Sequence, residues 1–88
     1  MPYITNSDRK KFDLVINDLV ENLKDSTALS GELNYVFSVV LHRIFKHKES
    51  YQTASTLISA LECIKLEFYR RSVAPYEDLK IKENGDIE

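Results

Sequence analysis

The sequence predicts a mainly α protein: a three-helix, bundle-like domain over residues 1–88 with a C-terminal extension. A small β element is one of two alternatives for this extension. Apolar side chains recur at spacings of three and four in three separate stretches, which is the pattern of amphipathic helices. Only two glycines and two prolines interrupt the 88 residues. A chain of this length forms one domain with a small core, so a lone monomer is expected to be marginally stable.

Composition and charge narrow the function classes. The chain is 43% hydrophobic and 30% charged, which is ordinary for a soluble globular protein. Its formal charge of −2 argues against general binding of nucleic acid, and no apolar run of about 18 residues predicts a membrane span. Cys63 is the only cysteine, so we expect neither an intrachain disulfide nor a cysteine metal cluster. We expect the protein to be located in the cytoplasm.

The first helix is expected to follow a short extended N-terminus in which Tyr3 and Ile4 favour strand geometry. Ser7 is the predicted N-cap, and the helix should run to about Lys24. Its apolar stripe consists of Phe12, Val15, Ile16, Leu19, Val20 and Leu23.

The second helix is predicted from about Glu32 to Lys46, after a polar loop over residues 25–31. Ser30 or Gly31 is the expected cap. Its main stripe consists of Leu33, Val36, Phe37, Val40, Leu41 and Ile44.

Four apolar residues lie outside these stripes and predict an interface. They are Tyr35, Val39 and Phe45 on the second helix and Leu66 on the third. A helix that is apolar around most of its circumference is usually buried on more than one side. We therefore expect a homo-oligomer held largely by the second or third helix.

The third helix is predicted to begin at Tyr51, with Ser50 as its cap. Pro75 disfavours helical geometry at Ala74, so the helix is expected to stop there. Glu67 is expected to pair with Arg71 one turn later. The apolar stripe consists of Ala54, Leu57, Ile58, Leu61, Ile64 and Phe68.

The C-terminal extension, residues 76–88, carries five acidic residues against two lysines. Asn84 and Gly85 form a strong hairpin-turn signal, although only three residues follow it. A frayed acidic tail is the equal alternative, and both remain open.

No catalytic or metal-binding pattern stands out. His42 and His47 are five positions apart, about 140° around a helix, so they cannot share one ion on one face. Cys63 is expected to be a packed small residue in an interface or under the tail. The basic stretch at residues 42–48 lacks the interleaved aromatic residues of single-strand binders. We expect no catalytic residues, no metal, no cofactor and no enzyme activity.

A cluster at the end of the third helix supports two interpretations. Guanidinium groups supply paired donors for phosphate, and a tyrosine ring supplies a stacking face, so the cluster suits a small anionic ligand such as a nucleotide. The favoured alternative is structural: the arginines lock the tail through Glu77 and Asp78. The candidate ligand-binding residues are Lys65, Tyr69, Arg70, Arg71 and Tyr76.

Four segments resemble those of a family of short phage and bacterial proteins catalogued as a domain of unknown function. They are GELNYV at 31–36, LECIKLEFYRR at 61–71, VAPYED at 73–78 and KIKENGD at 80–86. The resemblance implies a small intracellular protein, acting in the host cytoplasm if phage-encoded, and assigns no activity or site. The first hypothesis is an oligomeric protein that interferes with a host system by binding a host protein. The alternative is a sponge that sequesters a nucleotide signal between subunits, and an uncharacterised enzyme is third.

Overall fold

The structure is a computed structural model that describes residues 4–88, and it is helical over most of that range. The predicted mainly α fold class is confirmed, and residues 4–88 contain no strand. The strand expected around Tyr3 falls partly outside the described residues, and Ile4 is not in a strand. The helices are α1 (Asn6–Arg9), a 3-10 turn (Lys10–Phe12), α2 (Asp13–Leu23), α3 (Leu29–His47), α4 (Tyr51–Phe68), a π-helical segment (Tyr69–Val73) and α5 (Ala74–Asn84).

The chain divides into two units, Met1–Glu49 and Ser50–Glu88. In the first unit, the predicted N-terminal helix is present but broken by the 3-10 turn. Its cap is Thr5 rather than Ser7, because the Thr5 hydroxyl accepts from the Asp8 backbone N–H and donates to the Asp8 carboxylate at 2.9 Å. The correct cap therefore lies two residues earlier than the one predicted.

The second predicted helix also begins earlier than expected, at Leu29. The Ser26 hydroxyl accepts from the Ala28 N–H at 3.0 Å and donates to the Glu32 carboxylate at 2.8 Å. These two bonds fix the entry to α3, so the caps predicted at Ser30 and Gly31 are wrong. Helices α2 and α3 contact each other within this unit.

The second unit is one helical path from Tyr51 to Asn84. Ser50 caps it as predicted, since its hydroxyl accepts from the Thr53 N–H at 3.0 Å. The predicted stop at Pro75 is wrong: Ala74 has φ −60° and ψ −46°, and α5 continues beyond it.

The π-helical segment explains how the helix passes Pro75. A proline inside an α-helix removes one hydrogen bond and its ring clashes with the carbonyl four residues earlier. Here the Ala74 N–H bonds to the Tyr69 carbonyl five residues back, which widens the turn just before Pro75. Pro75 then occupies the first turn of α5, where proline is tolerated.

The C-terminal extension is therefore helical as far as Asn84, and both the hairpin and the fully frayed tail are wrong for residues 76–84. Gly85 has φ +86°, and its N–H bonds to the Ile81 carbonyl at 2.7 Å. Glycine adopts positive φ at little cost, so the Asn-Gly pair ends a helix here instead of turning a strand.

No residue among those described is buried. The apolar stripes formed as predicted, but their side chains retain much of their accessible surface: Leu61 is 42% exposed and Ile64 is 63% exposed. In the described part of the chain, no helix is long and apolar enough to cross a membrane.

Candidate functional site

The cluster predicted to bind a ligand lies around the π-helical segment, in the middle of the long helical path. It is not at a helix C-terminus, because α5 continues from it. The negative end of the helix dipole therefore lies more than two turns further on, beyond the first and last turns where that field acts. The backbone penalty for an anion near these arginines is correspondingly smaller than the sequence suggested.

The Glu67 carboxylate contacts the guanidinium groups of both Arg70 and Arg71. Its Oε1 accepts from Arg70 Nη2 at 2.7 Å and lies 3.6 Å from Arg71 Nη1. The predicted Glu67–Arg71 pair is thus present, and Arg70 joins it. The Glu67 side chain is only 29% exposed, whereas the arginine side chains are 71% and 58% exposed. A carboxylate of reduced exposure between two guanidinium groups neutralises part of the charge that an anionic ligand would need.

Tyr69 makes the contact that reaches the C-terminal segment. Its hydroxyl donates to Glu77 Oε1 at 2.6 Å. In an uninterrupted α-helix, residues eight apart differ by about 80° around the axis. The π-helical turn absorbs one residue, which leaves Tyr69 and Glu77 related almost as residues seven apart, about 20° from alignment. A lock of the tail through Arg70 and Arg71 stays a prediction, and Tyr69 makes a contact between this cluster and the C-terminal segment.

This hydrogen bond changes the acidity of the phenol. The pKa of Tyr69 is raised from its ordinary value of 10.0, first because Glu77 accepts its proton in a hydrogen bond and then because the Glu77 charge opposes a phenolate. Loss of surface exposure and the charge of Asp78 act in the same direction. Tyr69 therefore stays neutral and donates at physiological pH.

We predict that Tyr69 titrates at higher pH than an unperturbed tyrosine and that Glu77→Gln lowers its pKa toward 10. A raised folded-state pKa means that the contribution of this contact to stability is complete below about pH 10 and is lost as pH rises through the pKa of Tyr69. Site-resolved NMR titration of the tyrosine rings measures the shift. Glu83→Gln is the control, because Glu83 pairs with Lys80 at 3.0 Å and not with a tyrosine. An unchanged Tyr69 titration in Glu77→Gln would contradict the assignment.

The other two candidate ligand residues have partners of their own. Lys65 Nζ lies 3.4 Å from Glu62 Oε1. The ring of Tyr76 lies under Lys80, with Nζ 5.6 Å from the ring centroid. Such a cation–π contact holds an exposed tyrosine ring in place.

A shallow groove of about 570 Å³ lies along α5 and the residues that follow it. Tyr69 and Tyr76 line it, but Lys65 and the two arginines do not. Its charged lining consists of Glu77, Asp78, Asp86 and Lys80. With three carboxylates against one ammonium, this groove does not favour an anionic ligand.

A second groove, of about 490 Å³, lies within the first unit between the end of α2 and the start of α3. The apolar periodicity of the sequence does not predict this groove. The available signal was Gly31, which has no side chain and leaves open space: no neighbouring atom lies within 4 Å of the position that a Cβ would occupy there. The lining consists of Leu19, Asn22, Leu23, Ala28, Gly31, Glu32, Tyr35 and Val36.

The four predicted interface residues differ in exposure. Tyr35 is 70% exposed and belongs to the first-unit groove, while Leu66 is 57% exposed on α4. Val39 and Phe45 are half-buried on α3. All four retain accessible surface, and their role in an interface stays a prediction.

The remaining reactive side chains stand apart from this cluster. Cys63 is a free, exposed thiol on α4, so the expectation that it packs under the tail is not met in the chain itself. His42 and His47 are exposed on α3. No group of three His, Cys, Asp or Glu side chains within residues 4–88 is placed to hold a metal ion.

These features define a class of small helical protein whose described part presents apolar helix faces and paired surface charges. The chain belongs to a family described as a domain of unknown function (DUF6899), whose model matches residues 1–87. The resemblance inferred from the sequence motifs to a family of uncharacterised domains is thereby confirmed. No curated protein matches the chain. No solved structure matches it either.

Proposed function

We propose that the chain works as a small, non-enzymatic, homo-oligomeric interaction protein. The observation that carries this proposal is the absence of any buried side chain among residues 4–88. Hydrophobic burial is the main force that stabilises a folded chain, and it must offset a conformational entropy cost of about 1–2 kcal/mol per residue. A chain that buries little of its own apolar surface requires a partner surface to cover it. Other copies of the same chain can supply that surface.

The exposed apolar side chains support the same proposal. On α4, Ile58 is 69% exposed, and Ile64 and Phe68 are each 63% exposed. In the first unit, Leu14 is 81% exposed. Exposed apolar side chains that lie together on a helix face are typical of surfaces that bind other proteins.

The resemblance to phage proteins suggests the nature of a second, different partner. A phage protein acts in the host cytoplasm, so we propose a host protein as the target and cytoplasm as the location. The groove in the first unit offers apolar walls with few charges, which suits an apolar side chain of a protein better than an ion.

The nucleotide sponge receives less support from the geometry. Glu67 is already within 3.6 Å of both guanidinium groups, and the groove that contains Tyr69 and Tyr76 is acidic. A phosphate would have to displace a carboxylate of low exposure and then tolerate the nearby acids. The protein-interaction hypothesis requires neither step.

Native mass spectrometry of the purified protein tests both proposals, because it reports the number of subunits and any retained small ligand together. We expect a dimer or higher oligomer without a bound nucleotide. A monomer at high micromolar concentration, checked by light scattering, would contradict the proposed function. An oligomer that retains a nucleotide would favour the sponge instead.

Val39→Glu is predicted to dissociate the oligomer while leaving much of the helicity, because it places a charge on a half-buried position of α3. Asn34→Glu is the matched control: it adds the same charge to an exposed position about 140° away on the same helix. Light scattering and circular dichroism measure assembly and helicity. Equal behaviour of the two variants would exclude this face of α3 from the interface.

A further inference from the structure

We propose that two copies of the chain pair antiparallel through one face of α4, about a twofold axis that crosses the helix at the level of Glu62 and Cys63. This inference rests on the proposed self-association and adds to it the face, the direction and the register. Its occupant is a second copy of this chain.

The face is a short coiled-coil seam. Ala54, Leu57, Leu61, Ile64 and Phe68 follow one another at spacings of 3, 4, 3 and 4, which is the heptad pattern of a helix that packs along another helix. Within the chain the C-terminal part of this seam is uncovered, since Leu61 is 42% exposed and Ile64 and Phe68 are each 63% exposed, while Ala54 and Leu57 are half-buried. In its own unit no second helix folds back on α4, because the π-helical segment and α5 continue the same path.

The last four seam residues, Leu57, Leu61, Ile64 and Phe68, have spacings of 4, 3 and 4, which read the same in both directions and permit a twofold pairing. Reversal of the helix brings Leu61 opposite the partner's Ile64 and Leu57 opposite the partner's Phe68. In each of these layers, a residue at an a position of the heptad in one copy faces a residue at a d position in the other. The two paired residue numbers add up to the same value in both layers, as one twofold axis requires. A twofold interface uses the same patch on both copies, so it requires this kind of self-complementarity.

The charges beside the seam select the antiparallel direction. Glu62 and Lys65 lie on one side of it, 3.4 Å apart and with side chains 58% and 73% exposed. In the antiparallel register, Lys65 comes within about 3 Å along the axis of the partner's Glu62, because each residue adds about 1.5 Å. A lysine side chain spans that offset, so each Glu62 carboxylate lies between its own Lys65 and the partner's Lys65.

A parallel, in-register pair lacks this complementarity. In parallel coiled coils the position occupied by Lys65 faces the position five residues earlier in the partner. For this chain that residue is the partner's Ala60, which offers no charge. Electrostatic complementarity sets orientation more than affinity, and here it favours one orientation only.

The test is to mix two charge variants of the full chain, Glu62→Lys and Lys65→Glu. Each variant alone places four like charges at the axis and should assemble weakly. The mixture should form heterodimers in which every facing pair is attractive. With one variant isotope-labelled, native mass spectrometry should find heterodimers outnumbering each homodimer by about tenfold or more, against about twofold for random mixing.

A matched control separates this effect from changes within one helix. Glu21 and Lys24 on α2 have the same order and spacing, with Nζ and Oε1 3.1 Å apart. Glu21→Lys mixed with Lys24→Glu should give random mixing. In both mixtures, each variant helix carries two like charges three residues apart, so the effect within one helix is the same. A preference for heterodimers that is found only for the variants of Glu62 and Lys65 therefore arises between chains.

Disulfide formation supplies an independent measurement, in a Cys63→Ser background. Antiparallel pairing predicts that Leu57→Cys mixed with Phe68→Cys gives crosslinked heterodimers, while neither variant crosslinks to itself. Each residue lies about 16 Å along the axis from its own copy in that register, and a disulfide requires Cα atoms within about 7 Å. Parallel pairing predicts self-crosslinking of each variant and no mixed product.

The outcomes also separate this proposal from the proposed function. A wild-type monomer would end both. A wild-type oligomer with random mixing and no mixed crosslink would overturn the antiparallel pairing and leave self-association standing on another face.

Discussion

Ile64→Glu is expected to lower the melting temperature by about 10–20 °C, to reduce helical content and to leave the protein monomeric. Ile64 is 63% exposed within the chain, on the apolar face of α4, so its stabilising contribution comes from whatever covers that face. Covering an isoleucine contributes about 1.5–3 kcal/mol, and a buried unpaired carboxylate adds a further penalty. In a domain of this size, about 1 kcal/mol shifts the melting temperature by roughly 4–8 °C.

The effect should extend to the whole of α4, because an isolated helix is only marginally stable in water and most helical stability comes from packing of one face. Ser59→Glu is the control: it adds the same charge to the same helix, on the side opposite the apolar stripe, at an exposed serine. Circular dichroism melts at several protein concentrations, with light scattering, provide the measurement. If Ile64→Glu melts like Ser59→Glu and with the same mass, the apolar face of α4 is exposed in the functional protein as well.

The helices themselves were predictable because their signals are local. Periodic apolar residues predicted all three long helical stretches, and Ser50 was recognised as a cap because its hydroxyl bonds to a backbone N–H three residues later. The pair between Glu67 and Arg71 also follows from spacing alone. Each of these features depends on residues within about one turn of one another.

Two wrong predictions, the helix stop at Pro75 and the hairpin turn at Asn84 and Gly85, have a different origin. Pro75 normally ends a helix, and the sequence does not show that a π-helical turn can make room for it. Gly85 supplies positive φ both in a hairpin turn and after a helix, and the helical state of the preceding residues decides between the two. Once α5 continues beyond Pro75, Asn84 and Gly85 can only end it.

The candidate ligand cluster was predicted in part. Sequence spacing brought Lys65, Tyr69 and the arginines to the same stretch of helix, and they lie there. It did not reveal that Tyr69 would meet Glu77, because that contact depends on the residue absorbed by the π-helical turn. One inserted residue changes which side chains share a face, and a pattern based on 3.6 residues per turn misplaces everything that follows it.

The position of α5 leads to the second large effect. A chain that ends at Ala74 is expected to melt several degrees lower than the full chain, which corresponds to roughly 1–2 kcal/mol for a domain of this size. Truncation removes the hydrogen bond between Tyr69 and Glu77. It also removes Tyr76, Leu79 and Ile81, whose partly exposed side chains are available to pack in an assembly.

A shorter truncation is the matched control for that experiment. Ending the chain at Gly85 removes residues 86–88, which include Ile87 at 99% exposure, and keeps the Gly85 N–H bond to the Ile81 carbonyl, so the melting temperature should stay close to that of the full chain. Because both truncations remove acidic residues, a drop seen only in the longer one reports the loss of α5 and not the loss of charge. If the two truncated chains and the full chain melt alike, α5 is an appendage that contributes neither to the fold nor to the assembly.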